Sequence, residues 1–91
     1  MKLETHRDKR GIIKDIMVGK NFSTTYITFK KGAIRANHYH KETSQMDYII
    51  SGAVECYIDG RPPVVLTSTG SIFLAPNKKH AYRALEDSEM I

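Results

Sequence analysis

The sequence predicts an all-β domain, a sandwich or small barrel, and three observations carry that prediction. Short runs of strand-forming residues recur along the 91 residues, broken every few positions by Gly, Pro, Asn or Asp. No stretch keeps apolar residues at helical spacing between recognisable caps. The length suits one domain with one modest core, taken as residues 1–91, with no room for a second catalytic module.

Taken in order, residues 1–10 are charged throughout and read as a tail in which His6 has no role. Residues 11–18 have the β-branched content of a strand but alternate imperfectly. Gly19-Lys20-Asn21 is a turn, and residues 22–31 form the next strand, rich in Thr, Tyr, Ile and Phe. A third strand carries residues 34–40, followed by the polar link 41–44. Residues 45–50 and 54–58 are strands separated by Ser51-Gly52, and the second of them alternates cleanly.

Asp59-Gly60 predicts a type I′ hairpin turn, whose two central positions both need positive φ. Pro62-Pro63 confines residues 64–66 to an edge or a strand start, because proline cannot donate to a ladder. After the turn 67–70 come the short strand 71–74, a turn over 76–79, and a strand bearing His80, Tyr82 and Ala84. Residues 86–91 look like a turn and a strand barely begun. A barrel short of its closing strand keeps an unpaired edge, so either a second copy closes the sheet or the chain is a shortened version; the expectation taken is a homodimer.

Composition narrows the function. Fourteen Lys+Arg against ten Asp+Glu leave a formal +4, but the cations are scattered and the pairs Lys30-Lys31 and Lys78-Lys79 read as solvated turns. Nucleic-acid binding calls for clustered cations interleaved with stacking aromatics, so no nucleic-acid partner is expected. A mild positive field suits an anionic small-molecule ligand better. The single Cys56 excludes an intramolecular disulfide and fits a reducing compartment. It alternates with Val54 and Ile58 and reads as a buried small residue. No segment has signal-peptide or membrane-spanning length, so no membrane partner and a cytoplasmic location are expected.

The chemistry concentrates in residues 32–52. His38 and His40 lie two apart on one strand, so both rings leave the same face. Gln45 follows five residues later, and His80 stands near the far end. Three imidazoles and a carboxamide oxygen, if brought together, suit one divalent transition-metal ion: Mn, Fe, Ni, Co or Zn. Read singly, each histidine is as well explained as a structural or surface residue.

Spacing decides between these readings, because the sequence resembles the cupin superfamily. The first cupin motif is Gly, five residues, His-x-His, three or four residues, Glu, six residues and Gly. The chain supplies Gly32, His38, His40, Gln45 in place of Glu, and Gly52. The second motif, Gly, five residues, Pro, a short turn and His, is matched by Gly70, Pro76 and His80, with Lys78 near where Gly is common. The resemblance implies a double-stranded β-helix (jelly-roll) barrel and makes His38, His40, Gln45 and His80 its metal ligands.

Gln45 departs from the motif. A neutral carbonyl leaves more charge on the ion and removes a carboxylate that could act as a base. Gln occurs at this position in cupins that process unsaturated uronate sugars, whose Gln-x-x-Tyr-x-x-Ser-Gly pattern is similar to residues 45–52. Asp8-Lys9-Arg10-Gly11 is similar to the entry strand of cupin-fold epimerases and ketoisomerases acting on nucleotide-linked sugars. Both likenesses imply carbohydrate chemistry of isomerase type.

Asp47 shares the inward face with Gln45 and Ile49, so it is the candidate catalytic base that Gln45 cannot be. The alternative is an Asp that fixes a ligand imidazole or pairs with a Lys. Glu42, in the polar link, is the rival carboxylate and reads as solvated. Tyr82 shares the face of His80 and is either substrate-binding or a core aromatic. Two other functions stay open: Fe(II)-dependent dioxygenation, and a non-catalytic metabolite- or metal-binding module.

Overall fold

The computed structural model describes residues 3–38 and 44–91, with residues 36–38 described by backbone alone. Every element among the described residues is a strand. In chain order they are β1 (Thr5–Asp8), β2 (Gly11–Val18), β3 (Ser23–Phe29), β4 (Ile34–His38) and β5 (Gln45–Ser51). Then follow β6 (Ala53–Ile58), β7 (Val64–Thr67), β8 (Ser71–Leu74), β9 (His80–Ala84) and β10 (Ser88–Met90). They form a six-stranded sheet, β1-β2-β3-β10-β5-β8, and a four-stranded sheet, β4-β9-β6-β7. All pairings are antiparallel, as an all-β jelly roll requires.

The two sheets share one core. Phe29, Ile49, Leu74 and Met90 come from the large sheet, and Val54, Cys56, Ile58, Leu66, Tyr82 and Ala84 from the small one. Strand periodicity explains the selection. On β6 the buried positions are Val54, Cys56 and Ile58, and on β9 they are His80, Tyr82 and Ala84, each two apart. Cys56 lies in this core as alternation predicts, and burial pushes its thiol up to about 11. It is therefore a protonated, inert packing group at neutral pH.

Four local features differ from the sequence-based expectation. The charged start is no tail: β1 pairs with β2 in register from Thr5↔Lys14 to Asp8↔Gly11. All four β1 residues are exposed, so no apolar face marks the strand in the sequence. The imperfect alternation of β2 is a bulge, with Asp15 opposite Thr25 but Met17 opposite Thr24.

The Asp59-Gly60 turn is not type I′. Gly60 has φ 79° while Asp59 is not among the positive-φ residues, and Arg61 N donates to Ile58 O at 3.0 Å. That is a type II geometry with Gly at its third position. Pro62 and Pro63 have no N–H, and the β6–β7 ladder starts only at Val64.

The barely begun strand at the end is completed within the chain. β10 inserts between β3 and β5, with Met90 opposite both Ile27 and Ile49. Gly52 makes room for it: its φ is 90°, and a Cβ there would collide with Ser88 and the Asp87 carbonyl. Ser88 Oγ accepts from Ala53 N at 3.0 Å and lies 2.8 Å from Glu86 O, tying the turn before β10 to the start of β6. The expectation that a second copy must close this sheet thus loses its ground.

Candidate metal and acid–base site

The site is built where β9 of the small sheet faces β5 of the large one. Asp47 and Ile49 are buried on β5 and Gln45 is half-buried, while the intervening Met46, Tyr48 and Ile50 are exposed. On β9, His80 and Tyr82 are 2% and 1% exposed. Alternation on two strands therefore brings four sequence-predicted residues, Gln45, Asp47, His80 and Tyr82, onto the inner faces.

Their hydrogen bonds are specific. Gln45 Nε2 donates to both carboxylate oxygens of Asp47, at 2.8 Å each. The Tyr82 hydroxyl donates to Asp47 Oδ2 from the opposite sheet. Burial first, and then the Asp47 carboxylate, push the Tyr82 hydroxyl well above the usual phenol range, so it remains a donor. Tyr82 also meets Phe29 edge-on, with centroids 6.3 Å apart, and His80 at 6.1 Å. It is a core aromatic whose polar tip reaches the site.

His80 has its Nδ1 3.3 Å from the Lys78 carbonyl oxygen. In the tautomer with its proton on Nδ1 this contact is a hydrogen bond and Nε2 carries the lone pair, the arrangement common to metal-ligating histidines. Gln45 turns its amide nitrogen to Asp47, which leaves its carbonyl oxygen as the atom suited to an ion. The donor chemistry of both residues therefore fits a divalent metal. Asp47 has neither imidazole nor Lys as a hydrogen-bond partner among the described residues; it orients the amide of Gln45.

The two remaining expected ligands lie on β4 and beyond. The backbone of His38 is register-paired with His80, while Arg35 is paired with Tyr82. Strict two-residue periodicity from Arg35 would set residue 37 opposite His80. A bulge between Arg35 and His38 supplies the extra residue and brings His38 into register. The side chain of His38, the whole of His40 and Glu42 lie outside the described residues. Among the described residues no three His, Cys, Asp or Glu side chains converge.

One interior residue escaped the sequence reading. Arg35, three positions before His38, is only 5% exposed. Its guanidinium lies 5.7 Å from the Phe29 ring centroid and 3.7 Å from Asp8 Oδ1. The available signal was a lone cation between Ile34 and Ala36 inside the first motif.

A cupin-domain family model matches residues 25–91, which includes every element from β4 onward. The chain belongs to the cupin family. Among solved structures this cupin is similar to KdgF from Halomonas sp., with TM-score 0.85 and 21% identity over 99% of this chain and 81% of that one. An RmlC-like cupin from Shewanella frigidimarina NCIMB 400 matches with TM-score 0.85 and 24% identity, over 98% of this chain and 79% of that one. The Bacillus subtilis oxalate decarboxylase, described with Mn(II) centres, matches at TM-score 0.79 and 23% identity; the match covers 97% of this chain and 26% of the decarboxylase. At these identities the likenesses establish the fold. No curated protein matches the sequence.

Proposed function

We propose that this cupin is a metal-dependent enzyme of isomerase or epimerase type acting on a carbohydrate-like or anionic small molecule. The observation that carries the reading is a buried carboxylate, Asp47, held on the inner face by Gln45 and Tyr82, with His80 against the Tyr82 ring. His38, His40, Gln45 and His80 would hold one divalent ion, and the Mn(II) centres of the decarboxylase neighbour support that expectation by analogy of fold. Such an ion supplies Lewis-acid polarisation of a carbonyl or hydroxyl oxygen. Asp47 takes and returns the proton, through Oδ1, which among the described residues accepts only from Gln45, while Oδ2 accepts from both Gln45 and Tyr82. Tyr82 and Gln45 fix the carboxylate so that it does not reorient during the transfer.

A second reading has its own observation. Both oxygens of Asp47 already accept hydrogen bonds, which equally suits a positioning residue in a metabolite-binding module. Metal content and turnover separate the two. Protein purified without added metal should hold about one ion per chain, and His80→Ala should lose it. Sugar and sugar-acid isomerisation, assayed without oxygen, should vanish in Asp47→Asn while metal content stays. Retained turnover in Asp47→Asn excludes the base role. Absence of turnover alongside measurable ligand binding favours the binding module. Cytoplasmic location and a homodimeric state complete the proposal.

A further inference from the structure

Arg35 is the least satisfied charged group in the described interior. Its Nε and Nη2 are both buried and have no hydrogen-bond partner among the described residues. These two nitrogens form the side-on edge of a guanidinium, where two parallel N–H groups match the two oxygens of a carboxylate. A buried cation with that edge unmatched is costly, so its retention needs a reason.

The nearest carboxylate does not supply one. Asp8 stands 3.7 Å from Nη2, beyond hydrogen-bond distance. It is already engaged by Arg10, whose backbone N–H donates to Oδ1 at 2.8 Å and whose guanidinium donates to Oδ2 at 3.0 and 2.6 Å. Asp8 is thus shared with Arg10, and its ion pair with Arg35 leaves the Nε–Nη2 edge without a hydrogen-bonded carboxylate among the described residues. Burial and the charge on Arg10 both push the Arg35 guanidinium down, with Asp8 opposing, yet an arginine stays charged.

Position adds to chemistry. Arg35 is the cross-strand neighbour of Tyr82 on β9, two residues from His80, so its backbone belongs to the wall that carries the candidate site. Phe29 provides an apolar, quadrupolar surface against the guanidinium.

We propose that Arg35 is the anchor for a carboxylate group of the ligand, which binds inside the barrel by a side-on pair of hydrogen bonds to Nε and Nη2. One unmatched guanidinium edge fits one carboxylate. A phosphate dianion would need a second cation, and Arg10 is committed to Asp8. The ligand class is therefore a sugar acid or other hydroxy-carboxylate, not a neutral sugar. This rests on reading the interior as the ligand site and does not depend on the metal.

The test is a titration of D-glucuronate, D-glucose and inorganic phosphate against wild type, Arg35→Met and Arg35→Lys, with metal content measured in the same samples. Wild type should prefer glucuronate over glucose by about tenfold or more, a difference set by the charge-assisted pair. Arg35→Met should abolish that preference with metal content unchanged. Arg35→Lys keeps the charge but not the fork and should recover only part of it. A preference that survives in Arg35→Met, wild type that ignores glucuronate, or phosphate binding as tightly through Arg35 each overturns the proposal. Should Arg35→Met not fold, Arg35→Lys decides: full retention of the preference overturns the fork. Failure of the metal reading shows separately, as wild type without metal whatever the sugars do.

Discussion

The hydroxyl of Tyr82 on β9 donates to Oδ2 of Asp47 on β5, a buried polar contact that joins the two sheets. Removing that donor leaves a buried carboxylate with one partner fewer, at a cost of about 1–3 kcal/mol. Tyr82→Phe should therefore lower the thermal midpoint, by about 4–8 °C per kcal/mol for a domain this small. In a cycle with Asp47→Asn the double mutant should be less destabilised than the sum of the singles. Additive effects in thermal or urea unfolding would mean that the contact does not couple the sheets.

Gln45 is the second donor to that carboxylate, and its replacement by the motif's usual Glu has a calculable sign. Gln45→Glu exchanges two N–H contacts at 2.8 Å for a like charge. Two carboxylates so close cannot both ionise, so one of them should titrate above its unfolded value of about 4. The folded state then binds the extra proton over the window above pH 4, and stability falls as pH rises through it. Metal-free Gln45→Glu should thus lose stability relative to wild type as pH rises from about 4 to 7. If Gln45 is a ligand, added divalent metal should reverse the loss. Parallel pH profiles for metal-free variant and wild type would refute the close pairing.

Much of this site was legible because its signals are local. Gly52, Gly70 and Pro76 mark turns by their own backbone chemistry, and alternation alone faces Asp47, His80 and Tyr82 inward. What escaped depends on partners distant in sequence or on a missing face. β1 is a strand only because β2 pairs with it, since all of its residues are exposed. Three residues suffice for β10 because β3 and β5 flank it on both sides. The state of Arg35 depends on Asp8, 27 positions earlier, being already engaged by Arg10. The bulge before His38 shows the limit of strict periodicity, since residue 37 and not 38 would otherwise face His80 across the ladder.

Gly52 tests the insertion of β10. Alanine there adopts a left-handed backbone and drives its Cβ into Ser88 and the Asp87 carbonyl. Strain of that kind costs about 1–3 kcal/mol, and displacement of β10 adds the loss of Met90 from the core. Gly52→Ala should lower the unfolding midpoint and speed amide exchange at Ile27 and Ile49, the residues opposite Met90. Gly60, whose positive φ meets open space, is the control: Gly60→Ala should cost less. Equal losses at the two positions would show that backbone conformation alone, and not the approach of β10, sets the requirement for glycine.

The proposed homodimer has a candidate surface other than the one the sequence suggested. With β10 placed inside the large sheet, β1 and β8 are its two edges among the described residues, and β8 is the one next to β5. The outer face beside that edge is apolar: Met46 and Phe73 are directly opposed across β5 and β8, at 64% and 50% exposure, with Tyr48 and Ile50 exposed along the same row. An unpaired edge next to an exposed apolar row is a surface that another copy of the same strand can cover, by pairing and by burial together. Sedimentation of the wild type should report a dimer. Phe73→Lys, which places charge at the centre of the row without touching the inner face, should shift it to monomer with metal content unchanged. A monomeric wild type, or a dimer indifferent to Phe73→Lys, would place the contact elsewhere or remove it.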